Sequence, residues 1–456
     1  MLENKKLLIG IGAGIFILII VLVIVFTRKT GTNNNQNNGI TDLGAGTVTL
    51  WTPIGDEAAY APFIERLQDQ DVVLNIVAKN PATYEDDLVN AIAAGQGPDI
   101  FLLKDDWVVK RYGMIYPIPY QKSRYSDTVK DFKNLYPSVV AQQMIGAKGD
   151  IFGYPISSDP LVLYTNRTIF DNLRMQLQSR EEGIDEATDA LMRRSPTTWD
   201  EFKTVSKMLT IKNGTLVSQA GAALGTDNNI ESAQDILYLL MLQNGTQFAS
   251  SDGKSATFQL QQKAQSGADW YPGTSALDFY TSFASPASDV YSWNESMPNA
   301  TEYFIQGKLA MMVDYASREN YIKQMNPNLE YGVDPLPQVR QSLIPNGFMH
   351  YWAFSVNKNS KVGNLAWGVI SVLMGENDRS KYLTASGRYP IMRDDLGSGG
   401  AGTIEGQITR AKTIYKPDLD KYNTIMLKMI NDATHSKQPL QSSIEAAARD
   451  ITALLK

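Results

Sequence analysis

Cysteine is absent from the 456 residues. That excludes disulfides, thiolate metal sites, a cysteine nucleophile and a lipid-modified cysteine. Histidine is nearly as scarce. His350 and His435 are the only two, too few for a histidine-rich metal site. No excess of basic charge exists either: 42 basic residues stand against 48 acidic ones, for a net charge of -6. No basic stripe interleaved with aromatics runs along the chain, so nucleic acid is not an expected partner. The P-loop pattern, H-E-x-x-H and G-x-S-x-G are all missing, which removes common nucleotide-binding, zinc-peptidase and hydrolase signatures. No cofactor and no metal are expected.

What remains is the composition of a globular protein, 43% hydrophobic and 20% charged. A chain of this length suits two or three units with sizeable cores. One long apolar run stands out, "LLIGIGAGIFILIIVLVIVF", Leu7 to Phe26. At about 1.5 Å per helical residue it would span roughly 30 Å, the hydrocarbon thickness of a bilayer. A signal peptide has a shorter apolar region, about 7–15 residues, and ends at a small-residue cleavage site. Here the run ends "VIVFTRKTG", without one. Residues 1–30 therefore read as an uncleaved transmembrane anchor at the cell membrane. The absence of cysteine suits an extracytoplasmic location for the rest. Residues 31–46, "GTNNNQNNGITDLGAG", have almost nothing to bury and read as a flexible tether.

From Thr47 the pattern turns regular. "TVTLWT" reads as a strand, and Tyr60, Phe63, Ile64 and Leu67 then recur at helical spacing. "VVLNIVA", 72–78, is a second strand. Thr83 and Asp86 suggest a capping box, and the helical face that follows stops at Gly95. "DIFLL", 99–103, is a third strand. Alternating strands and helices predict a parallel α/β layer. Ligands sit in the loops at the carboxyl ends of such strands. Those loops are "PIGDEA" (53–58), "KNPAT" (79–83) and "KDDW" (104–107). Further on, Thr198-x-x-Glu201 predicts a capped helix to about Leu209. "LAMMVDY" (309–315) and "HYWAFSV" (350–356) read as strands, and Ser442-x-x-Glu445 opens a C-terminal helix. In "GYPISSDPLVLYTN", 153–166, the polar Ser157-Ser158-Asp159 between Pro155 and Pro160 interrupts an apolar run, and Pro160 biases Asp159 toward an extended backbone.

These segments, in this order, carry a resemblance. "YEDDLVNAIAAGQGPDIF", "GYPISSDPLVLYTNRTIF", "PTTWDEF", "FIQGKLAMMVDY", "YGVDPLPQ" and "GRYPIMRDD" resemble extracellular solute-binding proteins of ABC importers, carbohydrate-type family 1, the group that includes maltose-binding proteins. The resemblance covers roughly residues 47–456. It implies an α/β, two-lobed periplasmic-binding-protein-like fold of the class II type, with a hinge and an interlobe cleft. Lobe 1 would hold 47–157 and about 350–385. Lobe 2 would hold 161–345 and about 390–456. The stretch at 172–194 is longer than the usual link before "PTTWDEF" and reads as an added helical excursion. A monomer is expected, with a small solute and ABC permease subunits as partners.

Sugar recognition needs hydrogen-bonding groups that satisfy ring hydroxyls, and aromatic faces that cover the C–H side of the ring. Asp56 and Glu57 follow the first strand; Lys104, Asp105 and Trp107 follow the third. The resemblance implies ligand contact for Asp105, after "PDIF", and for Asp159, after "YPI". Asp314 and Tyr315 end the "LAMMVDY" strand. The maltose type carries a stacking tryptophan where this chain has Ser317, which moves the platform, with Tyr315 as a substitute. Trp293 and Trp352 complete the candidate set, and Trp270, Tyr271 and Tyr351 are further aromatics that could face a ligand. The primary expectation is capture of a sugar or oligosaccharide for import, without catalysis. The competing readings are the same fold holding a polyamine, phosphate ester or peptide, an extracellular glycoside hydrolase, and a ligand-sensing subunit.

Overall fold

The computed structural model describes residues 43–118, 125–263, 267, 269–339, 346–400, 402–435 and 439–456. The apolar run Leu7–Phe26 and residues 31–42 of the tether lie outside them. No described helix is long and apolar enough to cross a membrane.

The described residues begin with β1 (Gly46–Thr52), α1 (Ala61–Gln68), β2 (Val72–Ala78), α2 (Tyr84–Ala93), β3 (Ile100–Lys104), α3 (Tyr125–Leu135), α4 (Ser138–Met144) and the long β4 (Tyr154–Asn166). Next come α5 (Arg167–Gln178), α6 (Glu186–Met192), α7 (Trp199–Leu209), β5 (Ile211–Asn213), β6 (Leu216–Ala222), α8 (Ala233–Gln243), α9 (Pro272–Ser282) and α10 (Ala300–Ile305). The last part holds β7 (Leu309–Tyr315), α11 (Arg318–Met325), β8 (Tyr331–Asp334), β9 (Met349–Val356), α12 (Gly363–Leu373), α13 (Glu376–Ser386), α14 (Leu419–His435) and α15 (Leu440–Leu454).

Two compact units emerge. Unit 1 takes in residues up to Ser158 and His350–Asp395; unit 2 takes in Asp159–Met349 and Leu396–Lys456.

In unit 1, β1 pairs in parallel with β2 from Gly46↔Val72 to Thr52↔Ala78, and with β3 at Leu50↔Ile100. β9 then runs antiparallel to β3, with Trp352 opposite Lys104. Val48, Leu50, Leu74, Ile100 and Leu102 point from these strands into one core. Tyr60, Phe63 and Leu67 close it from α1, and Trp367 and Ile370 from α12. Each such side chain contributes about 1.5–3 kcal/mol by leaving water. Tyr84 pins α2 to the sheet: its hydroxyl donates to Leu102 O at 2.9 Å and accepts from Leu102 N at 3.0 Å. The capping box expected at Thr83 does not form. Thr83 has near-helical backbone angles, so its hydroxyl turns to Asp87 Oδ2 at 3.0 Å instead of to a backbone amide.

In unit 2, β7 lies antiparallel to β4, with Leu161 opposite Tyr315, and parallel to β6. β8 covers the end of β4, with Tyr331 opposite Asn166. Helix α8 is apolar nearly all round and is buried from Ala233 to Gln243 except at the half-buried Gln234. The cap expected at α7 is present: Thr198 Oγ1 accepts from Glu201 N at 3.2 Å. Glu201 does not complete the box; it accepts from Thr197 N at 2.8 Å, one residue before the cap. The stretch 172–194 folds as the end of α5 followed by α6, tied by Arg174 Nε donating to Asp189 Oδ1 at 2.9 Å. α15 begins at Leu440 behind Pro439, ahead of the expected Ser442 start.

The polar interruption does not break β4. It runs as one strand from Tyr154 to Asn166 through both prolines. Pro155 and Pro160 lack an N–H, but their carbonyls stay useful. Pro155 O accepts from Tyr136 Oη at 2.9 Å, and Pro160 O accepts from Ala316 N at 2.9 Å.

Candidate ligand-binding site

Unit 1 gathers several expected residues at the end of β3. The strand leads into a short turn of 3-10 helix, Asp105–Trp107. Trp107 stacks on Tyr84, with centroids 6.0 Å apart and an interplanar angle of 29°. Trp352, held beside Lys104 by the β9 register, meets Trp107 edge to face at 5.3 Å and Tyr84 at 5.9 Å. Tyr84 is buried, while Trp107 and Trp352 both keep part of their surface open. The result is a tryptophan wall on a rigid tyrosine base.

Polar groups sit beside the wall. Asp105 is buried, 5% exposed, and its Oδ1 lies 2.7 Å from His350 Nδ1. Tyr351 N donates to the same oxygen at 3.4 Å; Gln143 Nε2 reaches Oδ2 at 3.4 Å and is itself held by Tyr351 Oη at 2.8 Å. Burial pushes the Asp105 carboxyl up. The His350 charge and hydrogen bond, Lys104 and the Tyr351 amide outweigh it, and the group rests below the ordinary 3.8. Asp105 is thus a buried anchor for His350. Its neighbour Asp106 pairs with Lys104 Nζ at 3.1 Å through Oδ2, and its Oδ1 has no hydrogen-bond partner among the described residues. Asp105, Asp106 and His350 bring three metal-capable atoms within 4.8 Å of one another. The Lys104 ammonium already balances Asp106, which disfavours a cation there. Asp106 went unselected in the sequence because adjacent aspartates look alike; only the turn decides which one turns inward.

The other unit 1 candidates follow β1. Asp56 is buried and accepts from Thr52 Oγ1 at 2.6 Å, Tyr60 Oη at 2.7 Å and Tyr382 Oη at 2.6 Å. Three hydroxyls hold it within the unit. Glu57, half-buried, begins the 3-10 turn before α1.

Unit 2 holds the remaining candidates. Trp293 is fully buried, and its Nε1 donates to Asn229 Oδ1 at 3.0 Å. That placement makes it a core residue. Asp159 Oδ1 accepts from Ser317 N at 2.9 Å and its Oδ2 from Ser317 Oγ at 2.6 Å. Asp314 is buried; it accepts from Ser232 Oγ at 2.6 Å and Arg318 Nε at 2.8 Å. Burial, with the Asp159 charge adding to it, pushes its carboxyl up to about 6 against the Ser232 and Tyr315 N–H hydrogen bonds. Tyr315 is half-buried, and its hydroxyl donates to Asp235 Oδ2 at 2.9 Å. Of the further aromatics, Tyr351 is buried, Trp270 half-buried and Tyr271 exposed.

The family pattern of bacterial extracellular solute-binding proteins matches residues 51–376, well over half of the chain. The chain belongs to that family. Its members bind solutes without catalysis, which sets aside the glycoside hydrolase reading. A protein of Brucella abortus (strain 2308) assigned as a binding protein is 23% identical over 327 residues, 68% of this chain and 66% of that relative. The match therefore spans just under two thirds of the relative's length. Solved solute-binding proteins share the fold. The cyclic alpha-maltosyl-1,6-maltose binding protein from Arthrobacter globiformis aligns at TM-score 0.67 and 18% identity, over 91% of this chain and 100% of that one. An ABC transporter solute-binding protein from Thermotoga lettingae, bound with alpha-D-tagatose, aligns at 0.65 and 19%, over 90% and 100%. The maltotriose binding protein of Thermus thermophilus aligns at 0.62 and 15%, over 90% and 100%.

Proposed function

We propose that this solute-binding protein captures a sugar or oligosaccharide outside the cell membrane and passes it to an ABC importer. The observation that carries the reading is the Trp107–Trp352 wall beside Asp106 and Lys104. A sugar ring offers a C–H face to an aromatic surface and hydroxyls at its rim. The wall supplies the first partner, worth about 0.5–1.5 kcal/mol beyond burial for an aromatic contact. The unpaired Asp106 oxygen supplies the second, since a buried acceptor without a donor costs about 1–3 kcal/mol. The fold neighbours support the same class: their own ligands include tagatose and maltotriose. The lobe boundaries and ligand-driven hinge closure implied by the resemblance belong to this proposal on the strength of the sequence alone.

The anchor belongs to the proposal too. Its support is the uncharged length of Leu7–Phe26, followed by an Asn-rich tether. Alkaline carbonate washing of membranes from cells that express the full chain tests it: the anchored protein stays in the pellet, and a cleaved or peripheral one is released.

Thermal-shift screening of the detergent-solubilised full chain tests the ligand class. A bound sugar raises the melting temperature in proportion to RT ln(1 + [L]/Kd). A shift with spermidine or an amino acid and none with any sugar rejects the carbohydrate reading.

A further inference from the structure

Lys416 is the least expected cation in unit 2. It lies in the segment before α14, yet it is only 9% exposed. Buried lysines are rare unless paired and hydrogen-bonded. This one lies 4.4 Å from the Tyr238 ring centroid, and its nearest carboxylate oxygen, Asp235 Oδ1, is 3.9 Å from Nζ. That spacing is too long for a hydrogen bond. Among the described residues Lys416 Nζ donates no hydrogen bond, although the ammonium carries three donors. Asp235 is held in place by the Tyr315 hydroxyl at 2.9 Å, and Tyr315 is half-buried at the end of β7.

We infer that Lys416 and Asp235 form a hydroxyl-binding subsite on unit 2, ordered by Tyr315. The inference rests on the carbohydrate reading above and deepens it. An oxygen seated between the two side chains would accept from the ammonium. It must also face the carboxylate, and only a group that can donate does so without repulsion. A hydroxyl meets both demands. A carboxylate or phosphate meets only the first, and an ammonium only the second. The pair therefore selects neutral polyhydroxylated solutes over acidic sugars and over polyamines. Tyr315 acts as a positioning residue: with the weaker Gln234 Nε2 contact at 3.4 Å, its hydroxyl holds Asp235 Oδ2 while Oδ1 faces Lys416.

The test uses the full chain in detergent and titrates maltose, maltotriose and tagatose; the tightest of them is carried forward. Lys416→Met and Asp235→Asn should each weaken that sugar at least tenfold, and the double variant should lose less than the product of the two. Among monodeoxy forms of that sugar, one should bind the wild type and Lys416→Met equally, which identifies the hydroxyl. Should Lys416→Met fail to fold, Tyr315→Phe carries the test. It removes only the Tyr315 oxygen, the shorter of the two contacts to Asp235 Oδ2, and a fivefold or greater loss is expected with an unchanged melting temperature in the absence of sugar. Wild-type affinity in these variants, or a loss that only tracks a lower unliganded melting temperature, overturns the subsite. If no sugar binds the wild type, the carbohydrate reading itself has failed and the subsite falls with it.

Discussion

His350 Nδ1 stands 2.7 Å from Asp105 Oδ1, across 245 positions of sequence. The contact locks the end of β3 to the start of β9 and so fixes Trp107 against Trp352. The Asp105 pKa is lower in the fold than in the unfolded chain. Its contribution is therefore full above the ordinary 3.8 and is lost as pH falls through the depressed folded value. Asp105→Asn should cost about 3 kcal/mol at pH 7, as expected for a broken buried pair. Urea unfolding at pH 7 and pH 3 checks the sign: the gap between wild type and variant should narrow at the lower pH.

The tryptophan wall predicts a loss of affinity without a loss of fold. Trp352→Ala removes one ring but leaves Trp107 on Tyr84. Sugar affinity should drop by about tenfold, near 1.4 kcal/mol, the upper part of the range for an aromatic contact. Calorimetric titration of both proteins with the same sugar measures it.

Asp159 holds both donors of Ser317, at 2.9 and 2.6 Å. Asp159→Ala should therefore lower stability by about 1–2 kcal/mol, and Ser317→Ala somewhat less. In a double-mutant cycle on urea midpoints the two losses should not add.

Asp314 has the opposite pH signature to Asp105. Its pKa is raised to about 6, so the fold holds its proton more tightly than the unfolded chain does. Its contribution is greatest below the ordinary 3.8 and declines as pH rises to about 6, by about 3 kcal/mol at 1.36 kcal/mol per unit. Asp314→Asn should lack that decline. Arg318→Met removes the cation in hydrogen-bond contact and should carry the decline to higher pH. Carboxyl NMR titration and stability curves between pH 4 and 7 report both effects.

Local patterns carried much of the fold. β2 spans 72–78 and β7 spans 309–315, the very bounds of the apolar runs read as strands in the sequence. α7 begins at Trp199 because Thr198 caps it. Misreadings arose where a local rule had two solutions. Thr83 and Ser442 fit a capping pattern, but Thr83 found a side-chain partner and Ser442 fell inside a helix already begun. Pro160 biases Asp159 toward an extended backbone, and the strand runs on through both. The site was less legible. Asp105 could be singled out, but its partner lies 245 residues away. Nothing near Lys416 in sequence announces that it packs over Tyr238, because the contact joins the segment before α14 to α8.

The central claim is that the Trp107–Trp352 wall faces a sugar. Tryptophan fluorescence of the full chain, titrated with maltose, maltotriose and tagatose, tests it most directly when Trp107→Phe and Trp352→Phe are run beside the wild type. The account predicts a saturable change with at least one sugar, no turnover of that sugar, and loss of most of the signal in the two variants. A saturable change that survives in both variants, or none with any sugar, would contradict it.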